Sequence, residues 1–278
     1  MGIPRRKLAD MAPGADSPLN FAITQQDQST LALVQEAIRY KQTMLAFQPV
    51  MRADGAQEPG FHEGLIRVLD PTGRVIPAAQ FMDKIETTET GREIDVLALR
   101  HGLLTLKANP ALRLSINMSA RSIGYHPWTS TLNRFLRESP TIGERLILEI
   151  TESSAMSVPE LVIDFMKRLQ SRGICFAMDD FGSGQLAIRH FREFLFDIVK
   201  IDGQFVRGIA ANPDNQVLMR ALLAVARHFD MLTVAENVET AQDAQILTDM
   251  GVDLLQGYYF AAPTTRPPWL QDAKIRQG

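Results

Sequence analysis

Six residues able to bind a hard cation or move a proton stand where short apolar runs begin or end: Glu63, Asn117, Glu149, Asp179, Asp180 and Glu236. They lie in separate segments, so only a fold that converges several strands on one pocket can bring them together. Five carboxylates in such a pocket raise one another's pKa steeply unless cations neutralise them. A bound divalent metal is therefore the chemistry this set predicts. Lys200 stands inside Ile198-Val199-Lys200-Ile201, where an unpaired ammonium is expensive. Either it has anionic company there, or its long stem reaches solvent.

The surrounding residues sharpen this reading. Asp179-Asp180-Phe181-Gly182-Ser183-Gly184 puts adjacent carboxylates at the close of an apolar run, before glycines that let the chain turn tightly. An Asp-rich turn competes with a metal site there. Glu149 interrupts the run Leu146–Thr151, and burying it needs a partner or a metal. Glu152 follows that run and reads either as a helix N-terminal residue or as a loop anchor. In the next case, a two-residue period puts Glu63, Leu65 and Arg67 on one strand face, where a salt-bridged surface strand is the competing account. Alternation likewise groups Ser115, Asn117 and Ser119, and an amide oxygen at Asn117 suits Mg²⁺ or Mn²⁺. Glu239 precedes a helical stretch that its charge would favour, and Gln256 ends the last strand-like run.

The elements that must position these groups alternate. Strand-like runs are Met44–Val50, His62–Leu69, Leu112–Met118, Leu146–Thr151, Ile174–Asp179, Ile198–Ile201, Leu232–Glu236 and Val252–Gln256. Helical stretches at Ala79–Glu86, Ile94–Lys107, Pro159–Arg172, Asn215–Phe229 and Ala241–Met250 separate most of them, which predicts βα repetition and a mainly parallel sheet. Only Arg52 to Phe61 joins the first two strands, a length that suits a hairpin and not a helical crossover. An antiparallel first strand follows. Residues 1–28, with Pro4, Pro13, Gly14 and Pro18, read as a mobile tail, residues 29–270 as the domain, and 271–278 as a C-terminal tail. A helix is expected to open near Ser29-Thr30.

Composition bounds the class. A chain of 278 residues, 45% hydrophobic and 22% charged, approaches the ~250 residues of a (β/α)₈ barrel. A net charge of -3 gives no support to bulk nucleic-acid binding. The lone Cys175 excludes an intramolecular disulfide. No apolar run approaches the ~18 residues of a membrane span, so a cytoplasmic protein with no membrane partner is expected.

These motifs resemble the EAL-domain cyclic di-GMP phosphodiesterases. The resemblance runs from Gln48-Pro49 to Pro263 through Glu63-Gly64-Leu65-Ile66-Arg67, Asn117-Met118-Ser119, Glu149-Ile150-Thr151-Glu152, Asp179-Asp180-Phe181-Gly182-Ser183-Gly184, Lys200-Ile201-Asp202, Ala235-Glu236-Asn237-Val238-Glu239 and Gln256-Gly257-Tyr258. It implies an α/β fold, a modified TIM (β/α)₈ barrel with one antiparallel strand. It also implies two divalent cations, Mg²⁺ or Mn²⁺, one on Glu63, Asn117, Glu149 and Asp179 and one on Asp179, Asp180 and Glu236. Lys200 would orient the attacking water, with Glu63 and Glu236 in the catalytic group and Glu236 proposed as a general base. Leu65, Arg67 and Gln256 would face the substrate, while Glu152 and Glu239 would support the site. The implied reaction is hydrolysis of cyclic di-GMP to linear pGpG by a homodimer open to a regulatory protein. The alternative is an inactive cyclic di-GMP receptor that signals to a partner. The chain departs from the family at Gly64, where Ala is usual, at Asn237, where Gly is usual, and in the loop Gln185 to Phe191.

Overall fold

The computed structural model describes residues 18–184 and 193–270, with side chains from Ser29 onward. The expected 271–278 tail and the departing loop over 185–191 lie outside the described residues, as do residues 1–17.

Among the described residues nine strands form one sheet: β1 (Thr43–Arg52), β2 (Pro59–Leu69), β3 (Val75–Pro77), β4 (Leu114–Asn117), β5 (Leu146–Thr151), β6 (Cys175–Phe181), β7 (Ile198–Ile201), β8 (Leu232–Ala235) and β9 (Leu254–Leu255). Their order is β1-β9-β8-β7-β6-β5-β4-β2-β3, with β1 also paired to β2. The ring therefore closes through β1, and β3 hangs on the outside of β2. From β4 to β9 every neighbour is parallel, whereas β1 runs antiparallel to both β2 and β9. This is the expected barrel with one reversed strand, the short Arg52–Phe61 link having left no room for a crossover.

Helices coat the ring: α1 (Pro18–Arg39), α2 (Met82–Ile85), α3 (Glu89–Ala108), α4 (His126–Glu138), α5 (Glu152–Ser157), α6 (Pro159–Gln170), α7 (Gly203–Val206), α8 (Pro213–His228) and α9 (Ala241–Asp249). The short α5 and α7 are not among the expected helical stretches, and two longer helices also differ from expectation. Helix α1 begins at Pro18 and not near Ser29, because Pro is at home in a first helical turn, where its missing N–H would have no partner. Helix α4 has no counterpart among the expected elements, although Trp128, Leu132, Phe135 and Leu136 form its buried stripe. None of the helices among the described residues is long and apolar enough to cross a membrane.

Inside the ring, side chains stack in layers. A compact apolar cluster of Val50, Phe61, Ile147, Ala177, Ile198, Val234 and Leu254 fills the lower interior. Each member stands two residues along its strand from a polar residue of the next layer: Gln48, Glu63, Glu149, Asp179, Lys200, Glu236 or Gln256. The two-residue period of the pleat thus builds a dry floor about 7 Å beneath a polar layer. The floor holds the strands in register so that the polar ends meet.

Gly64 lies on the outer face of this ring. A Cβ there would stand 2.7 Å from Ile116 Cδ1 and 3.2 Å from Leu45 Cδ1, and a Cβ at Gly102 would stand 2.7 Å from the same Ile116 Cδ1. The Ile116 side chain is thus wedged between two glycines, so the departure at Gly64 is a packing requirement. Gly64→Ala should destabilise the fold by about 1–3 kcal/mol through overpacking. Ile116→Val in the same chain should recover part of that loss, in a double-mutant cycle read by chemical denaturation. Additive losses would show that the wedge is absent.

Candidate active site

The carboxyl ends of the parallel strands deliver the site, as barrels of this kind do. Glu63 lies within β2, Asn117 closes β4, Glu149 lies in β5, Asp179 in β6 and Lys200 in β7, while Glu236 and Gln256 directly follow β8 and β9. Register brings the neighbours level: Gln48 faces Glu63 across the hairpin, and Asn117 faces Glu149.

Lys200 is at the centre, with 1% of its side chain exposed. Its Nζ lies 2.8 Å from Glu236 Oε1, 2.9 Å from Glu149 Oε2, 3.2 Å from Asp179 Oδ1 and 3.4 Å from Glu63 Oε2. Of the two readings of Lys200 in the sequence, the one with anionic company is the one realised. Glu63 is held further: Asn117 Nδ2 donates to its Oε1 at 2.8 Å, and Gln256 Nε2 donates to its Oε2 at 2.6 Å. Glu149 Oε1 and Asp179 Oδ1 are buried and accept no hydrogen bond among the described residues. Asp179 Oδ1 does contact the ammonium, so its interaction with Lys200 is a charge contact without hydrogen-bond alignment.

One ammonium among four carboxylates leaves an excess of negative charge, and the pKa values divide accordingly. Burial, the strongest influence, would raise that of Glu63, but Lys200 and the Gln256 and Asn117 amides together hold it below the ordinary value. Burial and the nearby Glu63 push Glu149 well above the ordinary range, against the pull of Lys200. Burial likewise lifts Glu236 to about 8, and burial with Asp179 beside it lifts Asp180 to about 6. Lys200 is raised well above its ordinary value, the carboxylates overcoming the effect of burial.

Among the described residues, Asp179, Asp180 and Glu236 bring ligand oxygens within 4.8 Å of one another. Adjacent residues of a regular strand point to opposite faces, so Asp179 and Asp180 need an irregularity to share a pocket. They have one: between Met178 and Phe181 the β6–β7 register slips, and Asp180 has a left-handed backbone at φ 56°. This is a β-bulge, which re-aims side chains. An all-oxygen donor set with unpaired buried carboxylate oxygens fits a hard cation such as Mg²⁺ or Mn²⁺.

Glu152 is the first residue of α5 and is 1% exposed. Its Oε2 accepts from Gly182 N at 2.9 Å, so the loop-anchor reading describes its contact. Leu65, Arg67 and Gln256 line a 390 Å³ cavity together with Glu63, Asp179, Lys200 and Glu236. Glu239 lies at its rim, with an exposed ion pair to Arg207 at 3.5 Å. Asn237 also lines it, in a left-handed conformation at φ 55° that Asn tolerates better than most residues. Its amide fills the space over Gly203, where a Cβ would stand 2.2 Å from Nδ2.

Three residues of the site are not singled out by the sequence reading. Gln48 accepts from Gln256 Nε2 at 3.2 Å and donates to Ala261 O at 3.0 Å, and a polar side chain amid the apolar run Met44–Val50 was its signal. Tyr258 stands exposed at the cavity wall. Asp95, buried in α3, accepts from Ser119 N at 3.0 Å and Ser122 Oγ at 2.6 Å, fixing the loop after Asn117. Its signal was a carboxylate beside Ile94 on the apolar face of a helix.

The raised carboxyl groups make stability depend on pH. Folded Glu236 keeps its proton up to about 8, whereas an unfolded Glu loses it near its ordinary value. The folded state therefore binds more protons between those values, and stability falls as pH rises through them. Glu149 and Asp180 act in the same sense, as does Asp95, lifted to about 7 mainly by burial. His62, lowered by burial to about 4 from 6.5, opposes them only below about 6.5. In a chelating buffer the melting temperature should thus fall between about pH 6.5 and 8, and Mn²⁺ should flatten that slope. A flat or rising profile under chelation, measured by differential scanning fluorimetry, would contradict these assignments.

The description of the family model that matches residues 32–263 is "EAL domain". The cyclic di-GMP phosphodiesterase PdeB of Shewanella oneidensis is 30% identical over 247 residues, covering 87% of this chain and 29% of PdeB. The cyclic di-GMP phosphodiesterase PdeF of Escherichia coli is 28% identical over 234 residues, covering 83% of this chain and 31% of PdeF. This chain thus spans less than a third of the length of either relative. Among solved structures, the PaMucR phosphodiesterase in complex with c-di-GMP superposes with a TM-score of 0.74 at 26% identity, covering 85% of this chain and 97% of that one. The FimX EAL domain of Pseudomonas aeruginosa bound to c-di-GMP superposes with a TM-score of 0.77 at 24% identity, covering the same shares, and so bears on fold alone. With a family match over most of its length and the motif residues gathered at one barrel mouth, this chain belongs to the EAL domain family.

Proposed function

We propose that the chain hydrolyses cyclic di-GMP to linear pGpG with two divalent cations, Mg²⁺ or Mn²⁺. The observation that carries this reading is the oxygen-rich cage around Lys200, four carboxylates within 3.4 Å of one ammonium, beside the Asp179, Asp180 and Glu236 trio. The names of the relatives supply the substrate.

Glu63, Asn117, Glu149 and Asp179 would hold one cation, and Asp179, Asp180 and Glu236 the other. Cations held there would supply a lowered pKa for bound water and a counter-charge for the phosphate. Arg67 and Gln256, on the cavity wall, bind the substrate and Leu65 packs against it. Lys200 orients the attacking water from the centre of the cage. Glu236, with Oε1 2.8 Å from Lys200 Nζ, is placed to accept a proton from that water. Glu152 positions the Asp179-Asp180 turn through Gly182 N, and Glu239 supports the rim. With this reading go the family's homodimer, a cytoplasmic setting and a regulatory protein partner.

The test is incubation of purified protein with cyclic di-GMP and Mg²⁺ or Mn²⁺, with the nucleotides resolved by chromatography. pGpG should appear, and it should vanish with a chelator or with Glu63→Ala. Intact nucleotide under either metal, with binding still detectable, would replace the enzyme by the receptor. In the active protein Glu152→Ala should lower activity or metal affinity by roughly 10- to 100-fold. Unchanged kinetics in that variant would remove Glu152 from the site.

A further inference from the structure

A second cavity is larger than the one with the cage. At the opposite mouth of the barrel, where the strands begin, lies a cavity of about 650 Å³, within the ~300–1,000 Å³ range of small-molecule sites. Its inner wall is the apolar floor described above, through Phe61, Ile147, Ile198 and Leu254. Among the described residues its rim is formed by Arg52 to Asp54, Arg113, Glu144 and Arg145, and Thr248 with Gly251 to Asp253.

The rim carries charge, and most of it is engaged. Asp54 pairs with Arg52. Asp253 accepts from Thr233 N at 2.9 Å and Thr233 Oγ1 at 2.7 Å. Arg145 donates to the carbonyls of Leu106, Asn109 and Leu112 and has Glu144 beside it. Arg113 remains, with no hydrogen bond or ion pair from its guanidinium among the described residues. The cavity therefore offers an aliphatic and aromatic wall beside an exposed cation that has no partner among the described residues.

We propose that this lower cavity binds a medium-chain aliphatic carboxylate, its chain on Phe61, Ile147, Ile198 and Leu254 and its carboxylate on Arg113. Apolar burial supplies the attraction, at ~25 cal/mol per Å² of chain removed from water. The guanidinium supplies the selectivity for an acid, because it forms paired, charge-assisted hydrogen bonds with a carboxylate. The bound chain would press on residues that stand two positions from Glu63, Glu149 and Lys200 along their strands.

The molecule carries its own reporter. Cys175, the chain's single cysteine, is half-buried in the wall of this cavity. Its alkylation by N-ethylmaleimide in mildly alkaline buffer, followed by mass spectrometry, can be timed with and without decanoate below its micellar concentration. Decanoate should slow alkylation saturably, decanol should protect at least about tenfold more weakly, and Arg113→Ala should weaken protection by decanoate by a similar factor, as expected for the loss of a charge-assisted hydrogen bond. An alkylation rate that decanoate leaves unchanged or accelerates would overturn the proposal. So would equal protection by decanol, or protection undiminished in Arg113→Ala. No arm depends on nucleotide turnover, so the outcome is independent of the phosphodiesterase reading.

Discussion

The buried ammonium of Lys200 is the constraint on which the rest depends. Removing an ion from water costs several kcal/mol even after relaxation, and 1% exposure leaves Lys200 no escape to solvent. Carboxylates on β2, β5 and β6 and just after β8 close on it, so one side chain ties four segments of the barrel together. The bargain is unequal, because the acids outnumber the base. Glu63 stays ionised through Lys200 and two amides, while Glu149 and Glu236 are driven toward the neutral form. Protons balance the charge in a cage of this kind until cations take their place, and cation binding then releases them.

The pleat explains how such a cage can be built without strain in most of its strands. Side chains of period two put Ile198 below Lys200, Ile147 below Glu149 and Phe61 below Glu63, so each polar residue rests on its own strand's apolar neighbour. Even β1, which runs the other way, obeys the rule in reverse, with Val50 in the floor and Gln48 in the polar layer. A register slip of one residue in any strand would turn its cage residue to the outer, helix-covered face and bring an outward-facing neighbour into the ring. Hydrophobic packing and the geometry of the cage are thus specified by the same alternation.

That alternation is also why much of the molecule could be read from its sequence. The apolar runs gave all eight ring strands, and the short Arg52–Phe61 link gave the reversed first strand. Glu149 and Lys200 were legible because a charge inside an apolar run demands a partner. Strand β3 was not, since three residues ending in Pro77 are too few to show a period. Helix α4 had the right spacing at Trp128, Leu132, Phe135 and Leu136, but His126-Pro127 and the polar residues between them resemble a loop. Gln48 and Asp95 were missed for a different reason. Gln256, the partner of Gln48, lies 208 residues away and is brought near only by the closed ring, and Ser119 and Ser122 meet Asp95 only once α3 packs beside the strand that follows it.

Besides the register shift at Val50 and Met51, two positions beside cage carboxylates leave regular strand geometry. Asp180 and Asn237 have positive φ angles, each one residue after a carboxylate of the cage, Asp179 and Glu236. A non-glycine residue in this region costs of order 1–3 kcal/mol and persists only where the surroundings impose it. At Asp180 the imposed turn has a visible product: it lets consecutive carboxylates converge with Glu236, which a flat strand forbids. Glu152 holds the next part of that turn through Gly182 N. At Asn237 a glycine would relieve the backbone, yet the amide packs against Gly203, at the start of the helix that follows Lys200's strand. Replacing the usual glycine has therefore linked the end of β8 to the end of β7, the strands that carry Glu236 and Lys200. The side chain of Asn237 is directed to a neighbouring backbone that has no Cβ to obstruct it.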